Sequence, residues 1–454
     1  MDIVIIGGVA AGAKAAAKAK RIQPDANVKI YTDENHVSYS SCGLPYFIEG
    51  NFTDYRTLLV RSVEEFAASG IDVYLNSRVE KILPIQKDIL IARENEAELV
   101  KYDKLIIATG ARAKIPQIKG VNKFNNIYTL RKIEDGIKIR NKMLESSVVT
   151  IIGSGYIGLE LLEAFVKNGL RVNVIEANKK IMGSFDDDIS DLIKKRLESS
   201  SIGNFEFYTG EVVTEFIGEN NNVKSVKTES GKEIQTDMVV LCAGVEPNIE
   251  IAKDAGIEIG PTGAIRVNKL MHTSIEDIFA CGDCAEKKHI VSGRPVWIPL
   301  GSTANKEGRC AAMNAAGEYC EFEGVLGSTV TRCLNTTMSK TGLTEEEAKE
   351  VGFSPISALV LKTDRVAYMP EAGDITLKVV ADKVTGLLLG GQAIGAVGAD
   401  KRINTLTSAL IGHLTVEAFN NNDLTYAPPY STTIDPLLNA MQILTAKMAK
   451  LRQN

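Results

Sequence analysis

The stretch from Val148 to Glu176 constrains the fold more than any other part of the sequence. An apolar strand pattern runs directly into Gly153-Ser-Gly155-Tyr-Ile-Gly158, and a helix pattern follows to about Asn168. A second strand pattern, Arg171–Glu176, closes on an acidic residue. The glycines let the backbone come close to a pyrophosphate at a helix N-terminus, and the acid reaches the ribose hydroxyls. The pattern therefore predicts a dinucleotide-binding βαβ unit in which Glu176 repels a 2′-phosphate, which favours NADH over NADPH.

A weaker copy of this unit lies at the start of the chain. The strand pattern Asp2–Ile6 leads into Gly7-Gly8-Val9-Ala10-Ala11-Gly12 and an alanine-rich helix. Valine replaces the middle glycine of the fingerprint, and Thr32 stands where an acidic residue would hold a ribose. Asp33 or Glu34 is then expected to take that place. Since any tight strand-to-helix turn needs small residues, this copy is less specific than the second one.

Two nucleotide sites in one chain indicate a flavin enzyme that is reduced by a nicotinamide cofactor. Two further buried strand patterns end in turns at Thr109-Gly110 and Gly244, and they are expected to return the chain between the nucleotide domains. Another strand pattern ends at Cys281-Gly282-Asp283-Cys284, where Asp283 is expected to bond a hydroxyl of the flavin's ribityl chain. The C-x-x-C spacing also suits a redox or metal site, but free cysteines are commonly small buried residues, and we expect no metal.

The helix pattern that begins near Ser302 and Thr303 is expected to have a Ser/Thr cap and to direct its positive end towards the reduced flavin ring. The alternative is a surface helix with an ordinary Ser/Thr cap. After Gly327 the pattern changes to strands, the first of them from Val330 to Met338, and then to helices, which predicts a separate α+β domain. The fold class is thus α/β, with two Rossmann-like domains for FAD and NAD and a C-terminal α+β domain. The expected bounds are 1–113 with 243–327 for FAD, 114–242 for NAD, and 328–454 for the C-terminal domain.

Composition argues against several other classes of protein. The 454 residues are 44% hydrophobic and 24% charged with a net charge of −5, which disfavours nucleic acid or an anionic membrane as a partner. No apolar run reaches the roughly 20 residues that span a bilayer. The chain enters a strand at Asp2, which leaves no room for a signal peptide, and its seven cysteines have no framework spacing. We therefore expect a cytoplasmic protein.

Cys42 is the candidate for the reacting atom. It lies in Val37-Ser-Tyr-Ser-Ser-Cys42-Gly-Leu-Pro-Tyr46, among small polar residues and just before a proline-started helical turn. Helix N–H groups and the helix dipole favour a thiolate at such a position. From this segment alone, a small buried cysteine is the competing interpretation.

Together these segments resemble the two-dinucleotide-domain flavin disulfide reductases over essentially the whole chain. The matching segments are Gly7 to Gly12, Thr109-Gly110, Gly153 to Glu160, and Gly282-Asp283. The Cys42 segment and Tyr426-Ala-Pro-Pro-Tyr430 are similar to the single-cysteine branch of coenzyme A-disulfide reductases and NADH-dependent persulfide reductases. The resemblance implies a homodimer, joined by the C-terminal domain, in which NADH reduces a low-molecular-weight disulfide, persulfide or polysulfide through FAD and Cys42.

The resemblance also implies roles for individual residues. Cys42 would be the nucleophile, Tyr156 would cover the nicotinamide side of the flavin, and Tyr426 and Tyr368 would be supplied across the dimer interface. The implied cofactor contacts are Gly7, Gly8, Ala11, Gly12, Asp33, Thr109, Gly110, Arg131, Gly153, Gly155, Tyr156, Gly158, Glu160, Glu176, Gly244, Asp283, Ser302 and Thr303. The implied substrate contacts, some to coenzyme A, are Lys14, Lys18, Arg21, Ser38, Ser41 and Asn305. For the three basic residues, a solvated helix face is the alternative.

Departures from neighbouring branches narrow the expected chemistry. Relatives that reduce peroxide or dioxygen carry a histidine where this chain has Ala10, and two-cysteine reductases carry a second cysteine a few residues after the first. Here the next cysteine after Cys42 is Cys242. Two alternatives stay open: an NADH oxidase in which Cys42 forms a sulfenic acid, and an electron-transfer flavoprotein that serves a protein partner.

Overall fold

The computed structural model describes residues 1–93 and 96–453. Its strands, numbered in chain order, are β1 Asp2–Ile6, β2 Asn27–Tyr31, β3 Ile71–Tyr74, β4 Arg78–Leu83, β5 Asp88–Arg93, β6 Glu96–Lys101, β7 Lys104–Ile107, β8 Ala111–Ala113, β9 Ile127–Thr129, β10 Val148–Ile152, β11 Arg171–Glu176, β12 Asn204–Thr209, β13 Val213–Glu219, β14 Asn222–Thr228, β15 Glu233–Gln235, β16 Met238–Leu241, β17 Val245–Pro247, β18 Ile278–Ala280, β19 Lys287–Lys288, β20 Pro295–Val296, β21 Thr329–Cys333, β22 Thr336–Gly342, β23 Pro355–Thr363, β24 Asp374–Asp382 and β25 Leu388–Gly395. Its α-helices are α1 Ala10–Ile22, α2 Leu44–Glu49, α3 Val63–Ala67, α4 Ile133–Met143, α5 Tyr156–Lys167, α6 Asp187–Glu198, α7 Glu250–Asp254, α8 Gly301–Ala315, α9 Glu345–Glu350, α10 Ala399–Ile411, α11 Val416–Asn420 and α12 Pro436–Gln453.

The first parallel sheet has the strand order β18-β7-β1-β2-β3. Ile3 of β1 pairs with Val28 on one side and with Lys104 on the other, and these strands are apolar because helices cover the sheet. β18 comes from far along the chain and pairs with β7. The alanine-rich helices α1 and α8 pack together in one core cluster with this sheet. This sheet and the two helices therefore combine residues from the start of the chain with residues from 278 to 315.

The second parallel sheet has the order β12-β11-β10-β16-β9, and it holds the glycine fingerprint between β10 and α5. Two antiparallel three-stranded sheets, β4-β5-β6 and β13-β14-β15, accompany the two parallel sheets. The two glycine units thus take the same strand–turn–helix–strand form, as predicted. The α/β fold class with Rossmann-like sheets is confirmed.

The C-terminal sheet is antiparallel, with the order β21-β22-β25-β24-β23, and its core cluster includes residues of α10, α11 and α12. The single strand expected from Val330 to Met338 is wrong. The chain reverses there between β21 and β22, because Leu334 and Asn335 both take positive φ angles, 46° and 64°, as a two-residue hairpin turn requires.

The expected Ser/Thr cap on α8 is also wrong. The helix begins at Gly301 with Leu300 at the capping position, so Ser302 and Thr303 lie inside its first turn. Within residues 1–93 and 96–453, no helix combines the length and the apolar character that crossing a membrane requires.

Candidate functional site

Cys42 lies in a 3₁₀ turn, Ser41–Gly43, that continues directly into α2, and the residue is exposed. Ser38, a little earlier in the same segment, donates its backbone N–H to the carbonyl of Gly8 at 2.8 Å. A β-carbon on Gly301, the first residue of α8, would lie 3.8 Å from Cys42 Sγ. The thiol segment therefore lies between the first glycine turn and the N-terminus of α8.

The electrostatics of Cys42 differ from the sequence expectation. Desolvation by the surrounding protein raises the pKa of the thiol, and the carboxylates of Glu160 and Asp283 raise it further. Arg131 and a hydrogen bond with Ser41 lower the pKa, but they do not reverse the shift. The protein groups thus favour the protonated thiol, and the expectation of a thiolate held by the dipole of α2 is wrong. Burial is the largest cause of the raised pKa, and the charges of Glu160 and Asp283 act in the same direction.

Replacing Glu160 by glutamine is expected to lower the pKa of Cys42. The negative charge of Glu160 disfavours the thiolate, so its removal moves the alkylation profile of Cys42 with iodoacetamide to lower pH. Below the pKa, the alkylation rate should rise by up to about tenfold, the equivalent of one pKa unit. Glu206→Gln, on the exposed edge of β12, is the control that should leave the profile in place. An unchanged profile in Glu160→Gln would contradict the electrostatic assignment.

Asp283 lies in a 3₁₀ turn directly after β18, and its carboxylate meets a cation from another segment. Arg131 Nη2 lies 2.7 Å from Asp283 Oδ2. A β-carbon on Gly110 would lie 3.6 Å from the same guanidinium nitrogen, so the fold brings Gly110, Arg131 and Asp283 together. The indole Nε1 of Trp297 donates to the Asp283 carbonyl at 2.7 Å, which fixes the turn from a further side.

The neighbouring residues of this turn have structural roles. Thr109 Oγ1 donates to the carbonyl of Asn248 at 2.7 Å, which ties the strand end at Thr109 to the segment after Gly244. Gly244 itself has a φ angle of 98°. Cys281 and Cys284 are fully buried, and burial raises the pKa of both thiols. They form part of the core beneath the turn.

The first glycine turn is as tight as its sequence predicts. A β-carbon on Gly7 would come within 2.2 Å of the Ala108 carbonyl, and one on Gly12 within 1.9 Å of the Gly7 carbonyl. Ala11 is buried beside them. This geometry lets a phosphate approach the N-terminus of α1.

The acidic position of the first unit is occupied by Thr32, which is buried. Tyr31 pairs with Ile6 as Ile175 pairs with Ile152 in the second unit, so Thr32 is the counterpart of Glu176. Asp33 is exposed and lies 3.6 Å from Lys132 Nζ. Glu34 instead accepts a hydrogen bond from the Tyr39 hydroxyl at 2.6 Å, and burial raises its pKa.

The second glycine turn carries its acid in place. Glu176 Oε2 accepts hydrogen bonds from the backbone N–H of Ser154 at 2.9 Å and from its hydroxyl at 2.8 Å. A β-carbon on Gly158 would lie 2.2 Å from the Gly153 carbonyl, whereas one on Gly155 would stay more than 4 Å from every described neighbour outside the turn. The turn is therefore closed on its inner side and open where a pyrophosphate would lie.

Helix α5 extends from this turn towards the C-terminal domain. The Tyr156 hydroxyl lies 2.7 Å from Thr329 Oγ1 and 3.2 Å from Ser184 Oγ. One turn later, Glu160 accepts a hydrogen bond from Thr331 Oγ1 at 3.0 Å, and burial raises the pKa of its carboxyl. Tyr156 and Glu160 thus connect the second nucleotide unit to β21.

Two of the basic residues of α1, Lys20 and Arg21, line a cleft at the far end of that helix. The cleft has a volume of about 350 Å³ and is lined by Ala17, Lys20, Arg21, Pro24, Arg61, Ser69 and Ile71. Of the predicted cations, Arg21 lines it, whereas Lys18 lies 3.8 Å from Glu318 and Lys14 is half-buried one turn earlier. The guanidinium of Arg61 stacks on Phe66 at 4.3 Å.

The remaining predicted contact residues lie on α8 and on the C-terminal domain. Ser302 and Asn305 are exposed on α8, while Thr303 is buried. Tyr368 is 74% exposed and Tyr426 is 46% exposed, both on the C-terminal domain. Such exposed aromatic rings are available to a second subunit.

Comparison with known proteins places this geometry in a family. Residues 1–308 match the family model "pyridine nucleotide-disulphide oxidoreductase", and residues 331–437 match the dimerisation domain of the same family. The chain belongs to the pyridine nucleotide-disulphide oxidoreductase family. The predicted resemblance is confirmed, and the protein is an NAD(P)H-dependent flavin oxidoreductase with a C-terminal dimerisation domain.

Three relatives cover nearly the whole chain. A CoA-dependent NAD(P)H sulfur oxidoreductase of Pyrococcus abyssi is 38% identical over 97% of this chain and 98% of its own length. The coenzyme A disulfide reductase of Staphylococcus aureus is 29% identical over 94% of this chain and 96% of its own. The structure of an NAD-dependent persulfide reductase from A. fulgidus superposes with a TM-score of 0.96 at 33% identity, covering 99% of this chain and 84% of that one.

The two cofactors of the family, FAD and NAD(P)H, suit the donors that the structure provides. The tight turn at Gly7 and Gly12 has no room for side chains, and the face at Gly155 is open. When bound, FAD passes an electron pair from the nicotinamide to sulfur. Within residues 1–93 and 96–453, the side chains of His, Cys, Asp and Glu form no cluster of three that could hold a metal ion.

Sequence reasoning missed several residues of this site. Lys20 and Arg61 line the basic cleft, and Trp297 holds the Asp283 turn. Lys20 lies next to the predicted Arg21 and could have been found from the helical spacing of α1. Arg61 and Trp297 lie in segments without a motif, so only the tertiary fold brings them in.

Proposed function

We propose that this enzyme uses NADH to reduce a low-molecular-weight disulfide, persulfide or polysulfide, and that Cys42 exchanges sulfur with the substrate. The observation that carries the proposal is the position of Cys42, exposed and flanked by the first glycine turn and the N-terminus of α8. The named activities of the relatives, reduction of sulfur, persulfide or coenzyme A disulfide, support the same class of substrate.

The proposed reaction begins when the Cys42 thiol loses its proton, which passes to the first group that leaves. The Cys42 sulfur attacks one sulfur of the substrate, a mixed disulfide or persulfide forms on Cys42, and the other half of the substrate leaves as a thiol or hydrosulfide. An electron pair from NADH then cleaves the bond on Cys42, and two protons, one from NADH and one from solvent, restore the Cys42 thiol and complete the second leaving thiol or hydrosulfide. One NADH and one proton are consumed for each sulfur–sulfur bond that is reduced.

The same geometry supports an assignment of the cofactor contacts. We assign the flavin's ribityl chain to Asp283, with Arg131 and Gly110 beside it, because these three residues converge next to the thiol segment. Glu176 is assigned to the ribose of the nicotinamide cofactor, where its carboxylate repels a 2′-phosphate and so favours NADH. We further propose a cytoplasmic homodimer, with Tyr426 and Tyr368 completing the site of the partner subunit.

The anionic end of a coenzyme A substrate fits the basic cleft at the end of α1. The helix leads from the glycine turn beside the thiol segment to Arg21, a length of about 17 Å at 1.5 Å per residue. A long ligand with sulfur at one end and phosphates at the other can therefore reach Cys42 and the cleft together. Lys20, Arg21 and Arg61 supply the cations there.

Arg21→Gln and Arg61→Gln are each expected to raise the KM for coenzyme A disulfide by about tenfold or more. A charge-assisted hydrogen bond to a phosphate contributes about 1.5–3 kcal/mol, and each 1.4 kcal/mol is a tenfold change in affinity. A short inorganic polysulfide carries no phosphate, so its turnover should stay nearly unchanged in both variants. Steady-state NADH oxidation with each substrate provides the measurement.

Arg56→Gln is the matched control, because Arg56 is an exposed arginine that pairs with Asp54 outside the cleft. It should leave both substrates unaffected. Equal losses for the two substrates in Arg21→Gln and Arg61→Gln would show that the cleft serves the fold and not the phosphates. Low-salt buffer should enlarge the effect on coenzyme A disulfide, since surface cations are screened by salt.

A further inference from the structure

A buried ion pair lies behind the turn that carries Asp283. Lys287, at the start of β19, and Glu307, in the middle of α8, both have fully buried side chains, and Lys287 Nζ lies 3.5 Å from Glu307 Oε1. Among the described residues, no hydrogen-bond donor reaches that Glu307 oxygen, so the ammonium is its compensating charge. Since apolar residues of similar volume would often stabilise a core at least as well, the pair calls for a reason other than stability.

The hydrogen bonds of the pair converge on one turn. Glu307 Oε2 accepts the backbone N–H of Gly282 at 2.7 Å. Lys287 Nζ donates to the carbonyl of Gly282 at 2.9 Å and to that of Ala285 at 2.8 Å. The two charges thus hold the peptide groups on both sides of Gly282, the residue directly before Asp283.

The same pair lies where three segments of the site touch. A β-carbon on Gly282, whose φ angle is 80°, would come within 2.9 Å of Ala11 Cβ in α1. A β-carbon on Gly308, next to Glu307 in α8, would come within 2.3 Å of the Ala11 carbonyl. The turn, α1 and α8 therefore meet without room for a side chain, and the ion pair links the turn to α8 at this contact.

We infer that Lys287 and Glu307 are positioning residues for the flavin, which hold the Asp283 turn against α1 and α8 and thereby set how long FAD stays bound. The inference rests on the proposed assignment of Asp283 to the ribityl chain. Both side chains act through the backbone of Gly282 and Ala285.

The surrounding charges set the conditions for a test. Burial raises the pKa of Glu307 to about 7, while Lys287 and the Gly282 N–H lower it. Asp283 also faces this carboxyl and raises its pKa. A pH of about 8 lies above this pKa, so the carboxylate form of Glu307 prevails there.

The rate of FAD release from the purified holoenzyme at this pH is the decisive measurement, followed by the fluorescence of free FAD after dilution. The double variant Lys287→Met with Glu307→Leu removes all three hydrogen bonds to the turn and leaves no buried unpaired charge. The unpaired Gly282 N–H and Ala285 carbonyl will lower the Tm, but we expect FAD release to be at least about tenfold faster, which is more than an equal loss of Tm elsewhere in the chain produces. Native FAD release in this variant would overturn the inference.

Two further variants separate positioning from general stability. Asp435→Asn breaks a comparably buried pair in the C-terminal domain, where Arg402 Nη2 lies 3.0 Å from Asp435 Oδ2. It should lower the Tm and leave FAD release at the native rate, and equally fast release there would contradict a specific role for the Lys287 pair. If the double variant does not fold, Glu307→Gln decides: it should release FAD faster than Asp435→Asn at matched loss of Tm, and an equal rate would refute the inference.

Asp283→Asn separates this inference from the proposed function. It should also speed FAD release, because it weakens the assigned contact itself. Native FAD release in Asp283→Asn would refute the flavin assignment of Asp283, on which the inference rests. The assay contains no disulfide or persulfide, so an error in the proposed substrate leaves its result unaffected.

Discussion

Cys42→Ser is expected to lower the turnover of disulfides, persulfides and polysulfides by about three orders of magnitude or more. A serine hydroxyl is not ionised at neutral pH and forms no sulfur–sulfur bond, so the substrate has no nucleophile to exchange with. Reduction of the bound flavin by NADH should persist, because Glu176 and the second glycine turn are untouched by the substitution. Stopped-flow absorbance of the flavin and steady-state NADH oxidation, on the same preparation, measure the two steps separately.

The same variant separates the proposed reductase from its alternatives. An oxidase that cycles Cys42 through a sulfenic acid would lose its rapid four-electron reduction of dioxygen in Cys42→Ser, whereas the native enzyme proposed here consumes little dioxygen. An electron-transfer flavoprotein would keep its delivery to a protein acceptor. Cys310→Ser, at a buried cysteine of α8, is the control that should retain disulfide turnover. Full disulfide turnover in Cys42→Ser would refute the proposed function.

The glycine turns were predictable because their constraint is local. At Gly7 and Gly153 the backbone lies within 2.3 Å of where a β-carbon would stand. Only glycine fits there, so the turn is visible in the sequence as a glycine. The position of Glu176, at the end of the second unit, is also set within that unit, because the parallel pairing of β10 and β11 places it beside the glycine turn. The fold class and both nucleotide turns could therefore be read from residue order alone.

The features that sequence reasoning missed depend on contacts between distant segments. Cys42 was expected to be a thiolate, but its pKa depends first on burial and then on Glu160, Arg131 and Asp283, which come from three other parts of the chain. Leu334 gave no turn signal, because a leucine with positive φ is uncommon and the hairpin around it is fixed by pairing of β21 with β22.

The Lys287–Glu307 pair also depends on contacts between distant segments. In the sequence, each of the two residues lies among other charged residues, a pattern that is typical of a solvated surface. In the fold both side chains are fully buried, next to the close contact of α1 with α8 at Ala11 and Gly308. The charge of a buried residue is thus visible in the sequence, whereas its burial is a property of the packed helices.

Subunit hybrids are expected to recover activity that neither parent has. If Tyr426 completes the site of the partner subunit, a heterodimer of one Cys42→Ser chain and one Tyr426→Phe chain contains one intact site, with Cys42 from the second chain and Tyr426 from the first. A tyrosine hydroxyl that protonates the leaving thiolate contributes about two orders of magnitude or more, so the Tyr426→Phe homodimer should be nearly inactive. The purified heterodimer should then show about half of the native turnover per dimer.

The exposure of the ring and the domain that carries it support this proposed arrangement. Tyr426 is 46% exposed in one chain and lies within residues 331–437, the part that matches the family's dimerisation domain. A heterodimer with differently tagged chains, isolated by two affinity steps and assayed with a short polysulfide, measures the recovery. Tyr319→Phe, an exposed tyrosine outside residues 331–437, should retain native turnover as a homodimer and serves as the control. If Tyr426 served the Cys42 of its own chain, the heterodimer would combine two defective sites, and absence of recovery would refute the shared site.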